Sequence, residues 1–295
     1  MCKSINELTR LRINEINKDM QYYIVDAFTD KLFGGNPAGV VLLDNDFPAD
    51  SLMQQVAAEL RYSETAFVRR DGAAEFTVRY FTPCSEVDLC GHATIATFGL
   101  MWQLGKVGDG VCLNHTLAGD LEVMAGERVM MQMATPRMVG EVKETERLCR
   151  IMQCAEPLLP VEIISTGLPD IMLPVQSEEE LEALNPDMAA LAELSRELEV
   201  VGVHAFVQAG DGYTAHVRNF APLYGVDEES ATGTANAALT HYLQRQGLIQ
   251  QGSECSFLQG EKMGRPSVVE TMVRTDGTIY VGGKCRIVAK GELLV

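Results

Sequence analysis

An internal repeat constrains the fold of this chain more than any other feature of its sequence. Residues 78–83 read VRYFTP and residues 217–222 read VRNFAP, at an offset of 139 (217 − 78). Val87-Asp88 matches Val226-Asp227 at the same offset, and we place a three-residue insertion after this pair. In the shifted register, Gly91, Ala96 and Gly105 match Gly233, Ala238 and Gly247. Because a repeat is one structural unit formed twice, we predict two similar lobes, each with a strand, a loop and a central helix.

The second half of the repeat predicts two buried helices with functional starts. The stretches GHATIATFGLMWQLG and GTANAALTHYLQRQG each begin and end with glycine, and glycine past a helix end is a common C-cap. The first N–H groups of a helix are unpaired and carry its positive dipole end, so they bind carboxylates or phosphates. We predict that Gly91 and Gly233 face each other across one small-molecule site. Tight helix–sheet packing explains the small residues equally well.

Composition excludes several classes of protein. The chain has 295 residues, 46% of them hydrophobic and 22% charged, which is typical of one large or two ordinary globular domains. Its net charge of -17 argues against nucleic acid and anionic membranes as partners. Eight scattered cysteines without a C-x-x-C pair argue against a zinc site or disulfide framework. No apolar run has signal-peptide or membrane-helix length, so we expect a soluble, cytoplasmic protein.

The order of the predicted elements favours an α+β fold over a doubly wound sheet. A helix is predicted at 50–61, and strands are predicted at 22–28, 38–43, 65–69, 75–81, 121–124 and 128–133. Residues 1–19 are interpreted as an N-terminal extension. The N-terminal lobe is predicted at 20–133 plus about 280–295, and the C-terminal lobe at 134–279.

Four polar groups near the glycines are candidate catalytic residues, and each also has a purely structural interpretation. His92 titrates near neutral pH but is as readily a structural hydrogen-bonding residue. From the residues alone, Glu64 is interpreted as an exposed loop carboxylate. The acidic run at 227–229 is interpreted either as a solvated loop or as charges that favour the positive end of a helix. Cys90 is a nucleophile or acid/base if the helix end activates it, and otherwise a small buried hydrophobe.

Several motifs resemble the PhzF-like family, named for phenazine-biosynthesis isomerases, within the diaminopimelate epimerase-like fold. The matching segments are DAFTDKLFGGNPAGVVL at 26–42, YSETAFV at 62–68, RYFTPCSEVDLCGHATIAT at 79–97, NFAP at 219–222, ESATGTANAAL at 229–239 and QGEKMGRPS at 259–267. The resemblance implies two pseudo-symmetric lobes, each a barrel-like, mostly antiparallel sheet around a central helix. It also implies an active site between the lobes, a homodimer and no cofactor or metal.

The resemblance also implies roles for individual residues. The family's catalytic glutamate falls on Glu64, its histidine on His92, and its second acidic residue on Glu229, where the phenazine enzymes carry Asp. The predicted substrate-binding residues are Gly91, Gly233, Thr234, Asn36 and Cys90. The epimerase relatives use two cysteines, of which Cys90 fills the first position, while Thr232 occupies the second.

We therefore expect a cofactor-independent isomerase acting on a small carboxylate-bearing or amino-acid-like substrate. In this hypothesis Glu64 removes a proton from carbon and returns it elsewhere. Two alternatives stay open: an epimerase or racemase that uses Glu64 and Cys90 on opposite faces of the substrate, and a non-catalytic small-anion-binding protein.

Overall fold

A computed structural model describes residues 20–295, so the predicted extension at 1–19 lies outside the described residues. Within this range the strands join into one 18-stranded sheet. The strands are β1 (Met20–Ala27), β2 (Asn36–Leu43), β3 (Thr65–Arg70), β4 (Glu75–Phe81), β5 (Glu86–Val87), β6 (Gly110–Thr116), β7 (Gly119–Ala125), β8 (Val129–Gln132), β9 (Arg137–Glu141), β10 (Glu162–Ser165), β11 (Pro169–Pro174), β12 (Val203–Gln208), β13 (Ala215–Ala221), β14 (Val226–Glu229), β15 (Glu254–Gln259), β16 (Ser267–Val273), β17 (Ile279–Gly283) and β18 (Cys285–Leu293).

The described helices are few. They are α1 (Asp50–Leu60), α2 (Gly91–Gln103), α3 (Thr145–Met152), α4 (Glu178–Ala183), α5 (Met188–Glu197) and α6 (Gly233–Arg245), with 3₁₀ turns at Pro222–Tyr224 and Glu261–Met263. No described helix is long and apolar enough to cross a membrane.

Hydrogen bonding arranges the strands in two sets with one pattern, which we call the first and second lobes. In the first lobe the order is β18-β1-β2-β3-β4-β6-β7-β8, with β5 paired to β4. In the second lobe it is β9-β10-β11-β12-β13-β15-β16-β17, with β14 paired to β13. The third pair and the fifth pair of each series are parallel and the others antiparallel, so the two lobes share one topology.

Among the described strands, one antiparallel pairing, that of β8 with β17, joins the sheets of the two lobes. β17 therefore bridges both lobes, and β18 returns the chain to β1 of the first lobe. The domain boundaries near residues 133 and 280 stay a prediction.

One central helix lies against each sheet, as the repeat predicts. α2 contacts β1, β2, β8 and β18, and α6 contacts β10, β11, β16 and β17. Both helices end in the predicted way: Gly105 and Gly247 follow them with φ of +66° and +70°. The next N–H groups, of Lys106 and Leu248, bond back to the carbonyls of Met101 and Leu243. This pattern is the Schellman motif, in which glycine avoids the strain of a left-handed residue.

The outer faces of the two sheets carry different layers. In the first lobe, α1 buries Met53, Val56 and Ala57 against the sheet. This i, i+3, i+4 spacing gives the helix one apolar face. In the second lobe, the three helices α3, α4 and α5 cover the sheet over a larger apolar cluster. Because helices shield its outer face, strands such as β10 are buried on both sides.

The strand register corrects the position of the insertion within the repeat. Tyr80 pairs with Val87, whereas its counterpart Asn219 pairs with Glu229. The structural counterpart of Val87 is therefore Glu229, and its alignment with Val226 was wrong. The extra residues lie earlier, in the 3₁₀ turn Pro222–Tyr224 and in an irregularity of the β13–β14 pairing.

Candidate functional site

Glu64 lies at the junction between the left-handed Arg61, which ends α1, and the start of β3. Its carbonyl accepts a hydrogen bond from the Gly39 N–H at 3.1 Å, which ties the junction to β2. The Glu64 side chain is 20% exposed, and its Oε2 lies 3.3 Å from His92 Nε2. The structure thus places Glu64 partly buried beside His92, and the interpretation as an exposed loop carboxylate was wrong.

His92 and Cys90 lie at the start of α2, and both are buried. His92 Nε2 is 3.4 Å from Ser63 Oγ, and its Nδ1 is 3.4 Å from Cys90 Sγ. Burial raises the pKa of the Cys90 thiol well above its usual value, and the charge of Glu64 adds to this. Because the thiolate is the reactive form, Cys90 is a poor nucleophile or base at neutral pH.

Glu229 belongs to a second cluster at the start of α6. Its Oε1 accepts a hydrogen bond from Asn36 Nδ2 at 2.9 Å, and its Oε2 accepts one from Thr232 Oγ1 at 2.7 Å. Asn36 Nδ2 also donates to the Ala231 carbonyl at 3.0 Å. Both N–H groups of the Asn36 amide are therefore occupied across the lobe boundary. Asn36 therefore positions Glu229, and neither N–H of its amide group is free to bind a ligand.

Electrostatics links the two clusters. Burial raises the pKa of Glu229, while His92 and the bonds from Thr232 and Asn36 oppose the increase. The charge of Glu64 raises the pKa of Glu229 further, so the two carboxylates interact across the boundary between the lobes. The structure therefore brings Glu64, Cys90, His92, Asn36 and Glu229 together at the lobe boundary.

The glycines at the two helix starts have room above them. A Cβ on Gly91 would lie 3.7 Å from the nearest atom, Met131 Cε, and one on Gly233 would lie 3.4 Å from Val281 Cγ1. Both are ordinary contacts, so internal packing does not require glycine here. This weakens the tight-packing alternative and favours approach of a ligand to the backbone. Thr234 follows Gly233, and its carbonyl accepts a bond from Thr166 at 3.0 Å.

A buried amide network behind Thr232 was missed from the sequence. Gln259 accepts from the Thr232 N–H and donates to the carbonyl of Glu229 and the hydroxyl of Thr232. Asn236 donates to Gln259, and His204 lies between Asn236 and Asn219 at 3.3 and 3.2 Å. Burial lowers the pKa of His204 to about 4, so it is neutral. The network fixes the start of α6 as a rigid unit.

Other signals were present but not assigned. Gln259 and Ser63 occur in segments already recognised as motifs, QGEKMGRPS and YSETAFV, but a motif does not say which amide reaches which backbone group. His204 and Asn219 lie on neighbouring strands, and only their register brings them opposite each other. One group of potential metal ligands also appears among the described residues: donor atoms of Glu64, Cys90 and His92 lie within 4.8 Å of one another.

Known proteins with the same architecture identify the family. The model of the family described as "Phenazine biosynthesis-like protein", PhzC-PhzF, matches residues 25–291. The chain belongs to the PhzC-PhzF family. An uncharacterized isomerase of Deinococcus radiodurans is 38% identical over 291 residues, covering 92% of this chain and 94% of that protein.

Two further relatives add to the match. The trans-2,3-dihydro-3-hydroxyanthranilate isomerase of Pseudomonas chlororaphis is 32% identical over 260 residues, covering 84% of this chain and 88% of that protein. A crystal structure of a PhzF-family phenazine biosynthesis protein of Bacillus anthracis superposes with a TM-score of 0.84 at 26% identity, covering 94% of this chain and 100% of that chain. The predicted α+β fold class is confirmed, and the protein is an isomerase of this family.

Proposed function

We propose that this isomerase moves a proton between two carbons of a small carboxylate-bearing substrate, with Glu64 as the single acid/base. The observation that supports this most strongly is the position of Glu64. It lies partly buried at the lobe boundary, 3.3 Å from a histidine that opens a central helix. A partly buried base beside unpaired helix N–H groups has what carbon deprotonation needs.

The proposed reaction needs no co-reactant, because the substrate loses a proton at one carbon and gains a proton at another. Glu64 takes a proton from carbon, and the electron pair delocalises toward the substrate carboxylate. The N–H groups at Gly91 and Gly233, with the Thr234 hydroxyl, hold that carboxylate and stabilise the developing charge. Glu64 exchanges the proton with solvent in a fraction of turnovers and then protonates a different carbon of the substrate. His92 and Glu229 orient the substrate, so the net change is a shifted double bond.

Geometry favours this single-base reaction over inversion by Glu64 and Cys90. Two groups that flank one carbon from opposite faces must be about 6–7 Å apart, since each approaches to about 3–3.5 Å. The donor atoms of Glu64 and Cys90 lie within 4.8 Å of each other. They therefore reach a substrate from one side.

Hydrogen–deuterium exchange in D₂O tests the proposal. The first probe is trans-2,3-dihydro-3-hydroxyanthranilate, the molecule in the name of the Pseudomonas chlororaphis relative. We expect the wild-type protein to incorporate deuterium from solvent, and Glu64→Gln to do so at least about 100-fold more slowly, since a positioned base contributes about 10²–10⁴-fold. NMR of the recovered probe measures both rates.

Glu59→Gln is the matched control, because Glu59 is an exposed carboxylate on α1. Equal exchange by wild type and Glu64→Gln would rule out Glu64 as the base. Thermal stabilisation by small carboxylates without exchange into any of them would support the non-catalytic anion-binding alternative. The homodimer, the cytoplasmic location and the absence of nucleic-acid and membrane partners stay predictions.

A further inference from the structure

We propose that Asp170 is a further substrate-binding residue, whose carboxyl group donates a hydrogen bond to the substrate carboxylate at the start of α6. This role rests on the proposed function, since it adds one donor to the groups that hold that carboxylate. Asp170 is 2% exposed, and its Oδ1 is buried without a hydrogen-bond partner among the described residues. Buried polar atoms are nearly always hydrogen-bonded, so an unpartnered oxygen here indicates a missing ligand.

The strand pairings place Asp170 beside the position that corresponds to Glu64. The parallel pairing of β2 with β3 puts Ala38 next to Glu64 in the first lobe. The parallel pairing of β11 with β12 puts Asp170 next to Gly202 in the second lobe. Each lobe therefore has one acidic and one small residue at this place, and the lobes differ in which strand carries the acid.

The side chain of Asp170 lies on the face of the second sheet that packs against α6. Alternate residues of a strand share a face. Met172, two residues further along β11, packs in the apolar cluster that contains Ala238 and Leu239 of α6. Ile171 packs on the opposite face, in the cluster covered by the outer helices. Asp170 therefore faces α6 and not the outer layer.

The strands on either side of β11 show which part of α6 lies above Asp170. Thr166, just after β10, donates from Oγ1 to the Thr234 carbonyl at 3.0 Å. On β12, His204 Nε2 lies 3.3 Å from Asn236 Oδ1. Because β11 runs between β10 and β12, Asp170 faces the first turn of α6. The unpaired N–H groups of this turn are the ones proposed to hold the substrate carboxylate.

The surroundings of Asp170 keep its proton in place. Burial raises the pKa of Asp170 to about 8, and the charge of Glu229 contributes to the increase. On β12, His204 is neutral because burial lowers its pKa to about 4. On β10, Glu162 is paired with Arg245 at the far end of α6. At neutral pH the Asp170 carboxyl is therefore a hydrogen-bond donor, and such neutral acids stabilise oxyanions in enzyme sites.

The pH dependence of deuterium exchange tests this role. Wild-type kcat/KM for exchange into trans-2,3-dihydro-3-hydroxyanthranilate should fall about tenfold per pH unit above about pH 8, because ionised Asp170 repels the carboxylate. Asp170→Asn should lack this fall, since its amide keeps an N–H donor at every pH. Asp170→Ala should exchange at least about 100-fold more slowly at pH 7, since loss of one oxyanion donor costs about 10²–10³-fold.

Asp44→Ala is the matched control, because Asp44 is an exposed aspartate at the opposite end of β2 from Asn36. Alanine already occupies the equivalent position of the first lobe, at Ala38, so Asp170→Ala is expected to fold. If it does not fold, the pH profile of Asp170→Asn gives the reading. A purely structural Asp170 would leave the wild-type and Asp170→Asn profiles with the same shape, which would overturn the proposal.

Binding to Glu64→Gln separates the two proposals, because this variant leaves the probe unchanged. Adding Asp170→Ala to it should weaken binding of the probe about 10–100-fold by calorimetry, since a hydrogen bond to a charged group is lost. Weakened binding without exchange by the wild type contradicts the isomerase mechanism but not the role of Asp170. Exchange that neither Asp170 variant alters contradicts only the role of Asp170. A wild-type protein that neither binds nor exchanges the probe contradicts both.

Discussion

The residue before β3 in the first lobe is Glu64, and the residue before β12 in the second lobe is Gly202. The two positions are equivalent, since the Gly39 N–H bonds to the Glu64 carbonyl at 3.1 Å and the Ile171 N–H bonds to the Gly202 carbonyl at 3.0 Å. A Cβ on Gly202 would lie 1.8 Å from the Phe220 carbonyl oxygen. The two positions have the same backbone arrangement, but only the first lobe has room for a side chain there, which is that of the proposed base.

The side chains packed behind the two helix starts also differ, and here the second lobe has the more extensive polar network. In the first lobe, Tyr80 reaches Thr94 directly, with their oxygens 2.6 Å apart. In the second lobe, the shorter Asn219 requires His204 to bridge to Asn236. The lobe with the base therefore has a simple interior, and the lobe without it has a polar network that fixes Glu229 and Thr232. Gene duplication explains the backbone that the two lobes share, and later sequence divergence gave the lobes different side chains and different roles.

One feature that both lobes kept is a bidentate ion pair. Arg79 binds Glu86 through two bonds of 2.7 Å, and Arg218 binds Glu228 through two bonds of 2.8 Å. The two pairs differ in burial. The side chains of Arg218 and Glu228 are 10% and 15% exposed, against 21% and 23% for Arg79 and Glu86.

The largest effect is expected from placing a side chain at Gly202. Gly202→Ala should lower the free energy of unfolding by about 4 kcal/mol or more, because the methyl group collides with the Phe220 backbone carbonyl rather than a flexible side chain. Chemical denaturation measures the loss, or expression fails outright. Gly210→Ala in the loop after β12 is the control, since a Cβ there meets no atom within 4 Å. If the Gly202→Ala protein is as stable as wild type, a steric clash at this position does not explain why the second lobe has no side chain where the first lobe has Glu64.

An intermediate effect is expected from the retained ion pairs. Arg218→Ala should cost about 3 kcal/mol, because it leaves Glu228 and the carbonyls of Leu181 and Leu184 without their partner. Arg79→Ala should cost about 1 kcal/mol, since that pair is more exposed to solvent. Unfolding free energies of the two variants give the comparison directly, and equal losses would show that burial does not distinguish them.

An effect that depends on pH, and is smaller than the loss expected for Arg218→Ala, concerns Asp170, whose counterpart in the first lobe is Ala38. Its Oδ1 is buried without a hydrogen-bond partner among the described residues. Burial raises the pKa of Asp170 to about 8, with a contribution from the charge of Glu229. The folded protein therefore keeps a proton that the unfolded chain releases near pH 4. Its stabilising contribution is lost as pH rises from about 4 to about 8.

Asp170→Asn should remove that loss. Relative to wild type, we expect its unfolding free energy to improve by about 1.4 kcal/mol for each pH unit between pH 6 and 7. Urea unfolding at the two pH values measures the slope. Asp227→Asn, at an exposed acid, serves as the control. An unchanged slope in Asp170→Asn would mean that Asp170 is already ionised in the folded protein.

The sequence predicted the duplication because identical residues survive where both lobes need them. Examples are Arg79 and Arg218 in their ion pairs, and Gly105 and Gly247 in the left-handed caps. It did not predict that Gly202 is the counterpart of Glu64, because the identical Ala-Phe-Val segments at 66–68 and 205–207 align Gly202 with Ser63. Only the strand pairings and backbone hydrogen bonds show that the register differs by one residue. The sequence did not predict the network around His204 for a similar physical reason. Its members come from separate strands and a helix, and only the register places them in contact.

The return of the chain in β18 sets the order in which the molecule can be completed during synthesis. β18 pairs with β1 along its whole length, so the first lobe lacks this edge strand until residues 285–293 have left the ribosome. The second lobe begins with its own edge strand, β9, and needs no later segment than β17. The second lobe therefore has all of its strands available before the first lobe does, although domains usually fold from the N-terminus onward. The half with Glu64 is finished last.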